Sequence, residues 1–292
     1  MKVGYYCPLV GQEFFRQIGV HAVDLRKVKY LHKGAVPSEY SADRCDVVFW
    51  LSDLLKNNDA PDVLVLTNCC YEQEKLGDSL QSKGGLPVFK LNIPRNTDSV
   101  AVTYFAEQLK KLLLWLNEDF PVSYRGQKVK CLNEKLPCLD DGCVPIVLSG
   151  ISIPQWFDTV LEENFMYPVI LDTCGIFYDK NDSRQEPPGN LVKYAEMVLN
   201  RGRCFRCSAC NASNTVLQKR IQETRPAAAL YLANEYCTTA VFRYPYFKEL
   251  CDKNRVPVYK ITIPNWQEPT PQVLEQVELI AKIVKGRDES IF

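Results

Sequence analysis

Short apolar runs alternate along this chain with polar turns and amphipathic stretches. Val63-Leu64-Val65-Leu66 is a continuous apolar run of strand length, the pattern of a strand buried on both faces. It ends in the polar turn Thr67-Asn68-Cys69-Cys70. A stretch rich in Glu, Lys and Leu follows, predicting a helix closed by Gly84-Gly85. Leu86 to Pro94 predicts a second strand. From about Ser99 to Asn117 the period becomes helical, and Val100, Phe105, Leu109, Leu112, Leu113 and Leu116 form the expected apolar stripe.

The same order returns in the C-terminal half. Ala228-Ala229-Leu230-Tyr231-Leu232 leads into a polar turn ending at Cys237, then a helix carrying Phe247, Leu250 and Cys251. A strand over Val256 to Asn265 and a helix from about Pro271 to Val284 complete it. PVFKLNIP at 87–94 and PVYKITIP at 257–264 are too alike for chance in one chain. Lys2 to Tyr6 predicts a strand opening the first half, Pro145 to Gly150 one opening the second, and Tyr167 to Asp172 another. Strands alternating with helices predict parallel sheets covered on both faces. The expected fold is α/β, with two related Rossmann-like parallel-sheet halves over 1–143 and 144–292. Pro121 to Gly142 reads as a linker or excursion between them.

Composition narrows the function. The chain has 292 residues, 46% of them apolar, and a formal net charge of +0. That balance excludes a disordered polymer and gives no overall basic field to hold nucleic acid. No apolar run approaches the ~18–20 residues of a membrane span. Met1 to Tyr6 enters a strand at once, without the regions of a signal peptide, so a cytoplasmic protein is expected. Neither GxxxxGK[ST] nor GxGxxG follows a strand. His21 and His32 lack metal-ligand spacing and read as surface or packing residues.

Thirteen cysteines change the picture. The count is odd and the chain long, unlike a small secreted disulfide scaffold. Metal or cluster ligation gains weight, although some thiols will simply pack as small hydrophobes. Cys7, Cys69, Cys70, Cys174 and Cys237 fall at expected carboxyl ends of strands, where open α/β sheets bind ligands. Cysteines far apart in sequence can meet at such a crevice, and three thiolates would hold an iron–sulfur cluster with one iron open to a ligand. Cys204, Cys207 and Cys210 form a second signal, with the spacing of zinc or cluster runs. Arg201, Arg203 and Arg206 surround them and would stabilise thiolates. Either a second metal centre or a packed helix start fits that triple.

The sequence around the first set resembles the D-component of the 2-hydroxyacyl-CoA dehydratases, a family that also includes benzoyl-CoA reductase subunits and double-cubane cluster proteins. The resemblance covers nearly the whole chain. Gly4-Tyr5-Tyr6-Cys7-Pro8-Leu9-Val10-Gly11-Gln12-Glu13 looks like the family's opening strand, cysteine and turn. Thr67-Asn68-Cys69-Cys70-Tyr71 resembles its second motif. Glu235-Tyr236-Cys237, with Tyr246-Phe247-Lys248 and Val256-Pro257 after it, resembles the third.

The resemblance implies a [4Fe-4S] cluster between the halves, held by Cys7, Cys70 and Cys237, with Cys69 the alternative in the second motif. Their sulfurs are expected within ~7 Å of one another, as a single cubane requires. It also implies an ATP-dependent activator protein as electron donor, an acyl-CoA thioester that accepts one electron as a ketyl radical anion, and an (R)-2-hydroxyacyl-CoA dehydratase-like lyase or related reductase. Glu13 and Glu235 lie beside the ligand motifs as candidate bases. A double-cubane reductase of small molecules is a second expectation. A non-catalytic cluster- or zinc-binding partner subunit is a third, from a different class. A dimer with itself or a related subunit is expected, with Tyr5, Tyr6, Phe14, Phe15, Phe242, Tyr244, Tyr246 and Phe247 divided between core and interface.

Overall fold

A computed structural model describes residues 1–25, 51, 55, 60–119, 145–165, 169–173, 190–201, 210–234, 236–264 and 268–288. The chain divides into two compact units. Met1–Arg44, Val48–Asn133 and Asp179–Cys210 form the first, and Cys45–Val47, Glu134–Tyr178 and Asn211–Phe292 the second.

The first unit holds β1 (Lys2–Tyr5), α1 (Gln12–Gln17), β2 (His21–Asp24), β3 (Val63–Thr67), α2 (Tyr71–Lys83), β4 (Val88–Leu91) and α3 (Ser99–Asp119). Its four strands are parallel, in the order β2-β1-β3-β4. Every residue of β3 is buried, as a strand covered on both faces requires. Two register-linked rows show the coverage. Tyr5, Val65 and Phe89 point to one face, where Tyr5 stacks on Phe15 of α1 at 5.5 Å and Phe89 meets Trp115 of α3 at 5.4 Å. Leu66 and Lys90 point to the other, where the Gly77 turn of α2 lies against both side chains. α2 ends as expected at Gly84, whose φ of +66 a glycine adopts without a Cβ penalty.

A further helix, α5 (Leu191–Arg201), belongs to this unit although it follows β6 in sequence. It packs on α3, and its Tyr194 ring lies 5.4 Å from Phe14 of α1. Tyr194, Ala195, Val198 and Leu199 are its buried residues. The buried stripe of α3 runs through Ala101, Val102, Phe105, Ala106, Leu109, Leu112 and Leu116. Val100, expected on that stripe, is 76% exposed: it is the second residue of the helix, one position off the row that faces the core.

The second unit repeats the design. It comprises β5 (Ile146–Gly150), α4 (Gln155–Asn164), β6 (Val169–Thr173), α6 (Cys210–Thr224), β7 (Ala228–Ala233), α7 (Thr238–Lys253), β8 (Val258–Thr262) and α8 (Pro271–Asp288). The sheet order is β6-β5-β7-β8, again all parallel. Tyr231 points from β7 toward α7, with its ring 5.2 Å from Phe247 and its hydroxyl donating to the Ala240 carbonyl at 2.7 Å. α4 and α8 pack against each other. Residues 63–119 and 228–288 therefore share one strand–helix–strand–helix path, as the repeated octapeptide predicts.

No helix among the described residues is long and apolar enough to cross a membrane.

Candidate functional site

The sheet order creates one switch point in each unit. From β1 the chain goes to β2 on one side, and from β3 to β4 on the other. The loops leaving β1 and β3 therefore diverge, opening a crevice beyond their carboxyl ends. Cys7 follows β1 and precedes the short 3-10 turn Pro8–Val10. Cys69 and Cys70 follow β3. Both unit-one motifs thus lie at the carboxyl ends of neighbouring parallel strands. In the second unit the switch lies between β5 and β7, and Cys237 follows β7.

Cys70 and Cys237 occupy the same place on their helices. Each is the N-cap residue, with extended backbone, of α2 and α7 respectively. Each carbonyl accepts the first helical bond, from the Glu74 amide at 3.1 Å and the Val241 amide at 3.0 Å. An N-terminal helix end carries partial positive charge, which suits a thiolate ligand.

Strand register makes the comparison residue by residue. The Leu64 amide donates to the Pro87 carbonyl at 2.9 Å, and the Ala229 amide to the Pro257 carbonyl at 2.8 Å. Leu64 pairs with Gly4, and Ala229 with Val147. Three residues further along each chain, Cys7 corresponds to Gly150 and Thr67 to Leu232. Gly150 has a φ of +115, and a Cβ on it would fall 1.9 Å from the Leu232 carbonyl oxygen. A cysteine cannot stand there, so unit one contributes two of the expected thiols and unit two contributes one.

Two asparagines fix the loops. Asn68 Oδ1 accepts the Ile93 amide at 2.8 Å. The buried Asn234 donates from Nδ2 to the Ile263 carbonyl at 3.1 Å and accepts the Tyr236 amide at 3.1 Å. Ile93 and Ile263 are matching residues of the repeated octapeptide. Register pairs Asn234 with Cys69, and the loop to Cys237 is two residues longer than the loop to Cys70.

Cys7 is buried, and Cys69, Cys70 and Cys237 are half-buried; all four are thiols. Near Cys70 in sequence, Thr67 Oγ1, Glu72 Oε2 and Gln73 Oε1 are buried, and no hydrogen-bond partner is found for them among the described residues. All three lie within three residues of Cys70. Soft sulfur donors at strand ends and helix starts are the donor type that a thiolate-held cluster would need. Sequence reasoning passes over Thr67, Glu72 and Gln73; the one signal for them is Thr67, a polar residue closing an otherwise apolar strand.

Among the described residues, no group of three or more His, Cys, Asp or Glu side chains is gathered closely enough to hold a metal ion. Cys204, Cys207, Glu235 and His32 lie outside the described residues, and Cys210 is the first residue of α6. Glu13 lies in the first turn of α1, just past the Cys7 motif.

No protein-family model matches this chain, and no curated protein does. Solved structures give remote similarity. The substrate-binding protein FpvC of Pseudomonas aeruginosa in complex with Ni2+ is 11% identical, covering 98% of this chain and 97% of that one, at a TM-score of 0.28. The same protein in complex with Mn2+ is 13% identical over 99% of both chains, at a TM-score of 0.26. Nitrogenase Cp1 at pH 6.5 is 14% identical over 98% of this chain and 60% of that chain, at 0.24. Scores this low carry no argument about fold or function.

Proposed function

We propose that the protein is an iron–sulfur protein in which Cys7, Cys70 and Cys237 hold a [4Fe-4S] cluster used for low-potential one-electron chemistry on an acyl-CoA thioester. The observation that carries the reading is the matched N-cap placement of Cys70 and Cys237 in two copies of one α/β path, with Cys7 at the same switch point as Cys70. It favours Cys70 over Cys69, because Cys69 corresponds in register to a structural asparagine. When bound, such a cluster supplies one-electron transfer and an open iron that can hold a substrate oxygen.

The chain's own residues would do the rest. Cys7, Cys70 and Cys237 supply the thiolates, and the N-termini of α2 and α7 stabilise the negative charge of the last two. Asn68 and Asn234 hold the ligand loops against the neighbouring strand ends. The buried Thr67, Gln73 and Leu232 limit the water that reaches the strand ends. An ATP-dependent activator protein would be the electron donor, and a second copy or a related subunit the structural partner.

The test is an anaerobic count of iron, sulfide and zinc on the purified protein. About four irons and four sulfides per chain are expected. Cys7→Ser, Cys70→Ser and Cys237→Ser should each lose them, and Cys69→Ser should not. Twice that iron indicates the double-cubane form. Zinc without sulfide, or metal-free wild type, overturns the cluster assignment. An acyl-CoA that leaves the reduced-state spectrum unchanged overturns the substrate and leaves an electron relay.

A further inference from the structure

Thr67 is the last residue of β3 and is only 3% exposed. Its hydroxyl oxygen is wholly buried, and no hydrogen-bond partner is found for it among the described residues. A buried hydroxyl left without a partner destabilises the fold, so its presence asks for a reason. Register places it. Val3 pairs with Val63 and Tyr5 with Val65, so the same spacing carried two residues on sets Cys7 opposite Thr67. Cys70 follows Thr67 by three residues. Thr67 therefore stands opposite Cys7 in register and three residues before Cys70 in sequence.

The second unit shows that the fold does not need the hydroxyl. There the matching pair is Gly150 and Leu232, and Leu232 is fully buried. The same strand end closes with an apolar side chain where no cysteine stands opposite. Thiol and hydroxyl are present together in one unit and absent together in the other.

We infer that Thr67 is a positioning residue whose hydroxyl donates a hydrogen bond to a sulfur of the group bound at the Cys7–Cys70 crevice. The inference rests on the cluster reading above and adds what tunes it. A hydrogen bond to a cluster sulfur favours the reduced, more negative state and raises the reduction potential. A buried hydroxyl with no partner among the described residues is poised for that bond.

The experiment compares wild type with Thr67→Val, nearly isosteric but without a donor, and Thr67→Ser, which keeps it. Redox titration of the anaerobic, cluster-loaded proteins should give Val a lower midpoint potential than wild type, with Ser close to wild type and iron content equal in all three. Thermal unfolding of the metal-free proteins should give Val a Tm equal to or above wild type, because an unsatisfied hydroxyl has been removed. An unchanged potential in the loaded Val variant overturns the inference. So does a lower Tm in its apo form, which would mean that the hydroxyl serves the fold. Wild type without iron and sulfide overturns the cluster reading itself, a result read before any variant is made.

Discussion

Gly150 holds in the second sheet the place that Cys7 holds in the first, and the carbonyl of Leu232 occupies the space where its side chain would go. The two sheets share strand order and helix path, yet this single position sets their strand ends apart. One strand end is open enough for a thiol, and the other is closed by backbone.

Gly150→Ala should therefore destabilise the second unit by at least about 2 kcal/mol, from a left-handed φ and a collision with backbone that cannot move aside cheaply. Denaturant unfolding measures it. An Ala variant as stable as wild type would show that the β5 end shifts without cost.

Asn234→Ala should cost more than Asn68→Ala. Asn234 is buried and bonds backbone on both sides, donating to the Ile263 carbonyl and accepting from the Tyr236 amide, whereas Asn68, which accepts from the Ile93 amide, is half-buried. Losing a buried amide that satisfies backbone groups costs about 1–3 kcal/mol. Chemical denaturation of both variants checks the order, and on the cluster proposal iron retention should fall in the same order, because each amide steadies a loop bearing a proposed ligand.

The elements buried on both faces were the legible part of this fold. β3 and β7 read as strands because nothing polar interrupts them, and the octapeptide at 87–94 and 257–264 announced the repeat. β2 was not legible: His21-Ala22-Val23-Asp24 is short and half-exposed, and its place is decided by pairing with β1. α5 carries a helical period in Tyr194, Ala195, Val198 and Leu199, but no local pattern says which sheet it will cover. For the site, only the family resemblance narrows the expected ligands to Cys7, Cys70 and Cys237; strand-end position points equally to Cys69 and Cys174. It could not show that Cys70 and Cys237 are N-caps, or that Gly150 excludes a fourth equivalent thiol, because both depend on register between distant strands.

Cys251 is a control for the proposed ligands. It is fully buried on α7, well past Cys237. Cys251→Ala should leave the iron content unchanged while lowering stability by about 1 kcal/mol, the cost of a small core deletion. Iron analysis beside a denaturation curve tests both halves of the expectation.

The exposed pair Glu278 and Lys282 on α8 makes a pH-dependent contribution of known sign. The Lys282 hydrogen bond and charge hold the Glu278 carboxyl below its ordinary range. Its stabilisation is present above the unfolded carboxylate pKa and is lost as pH falls through the lowered folded value. Glu278→Gln should thus melt slightly below wild type at neutral pH and match it in acid. High salt should also erase the difference, because both side chains are exposed to screening.

Phe242 and Tyr246 lie one turn apart on α7, 75% and 68% exposed, beside Val241. For wild type we expect a dimer by sedimentation, and for Phe242→Ser with Tyr246→Ser a monomer whose unfolding free energy changes by no more than about 0.5 kcal/mol per site. A dimer that survives both substitutions removes this face from the interface. Tyr5, Tyr6, Phe14 and Phe15 are buried in the first unit and would not be available for it.

The path of α5 has a consequence for the order in which this protein can be made. The first unit gains the helix that covers Phe14 and packs on α3 only after β5 and β6 of the second have been synthesised. On the ribosome α1 and α3 would wait, with the apolar side chains that α5 packs on bare, for some seventy residues beyond the end of α3. A fragment ending before residue 190 should therefore be prone to aggregate, and adding back a peptide spanning Leu191–Arg201 should restore its solubility. Vectorial synthesis makes the second unit's first strands precede the completion of the first, so neither half is a finished product until both are nearly written.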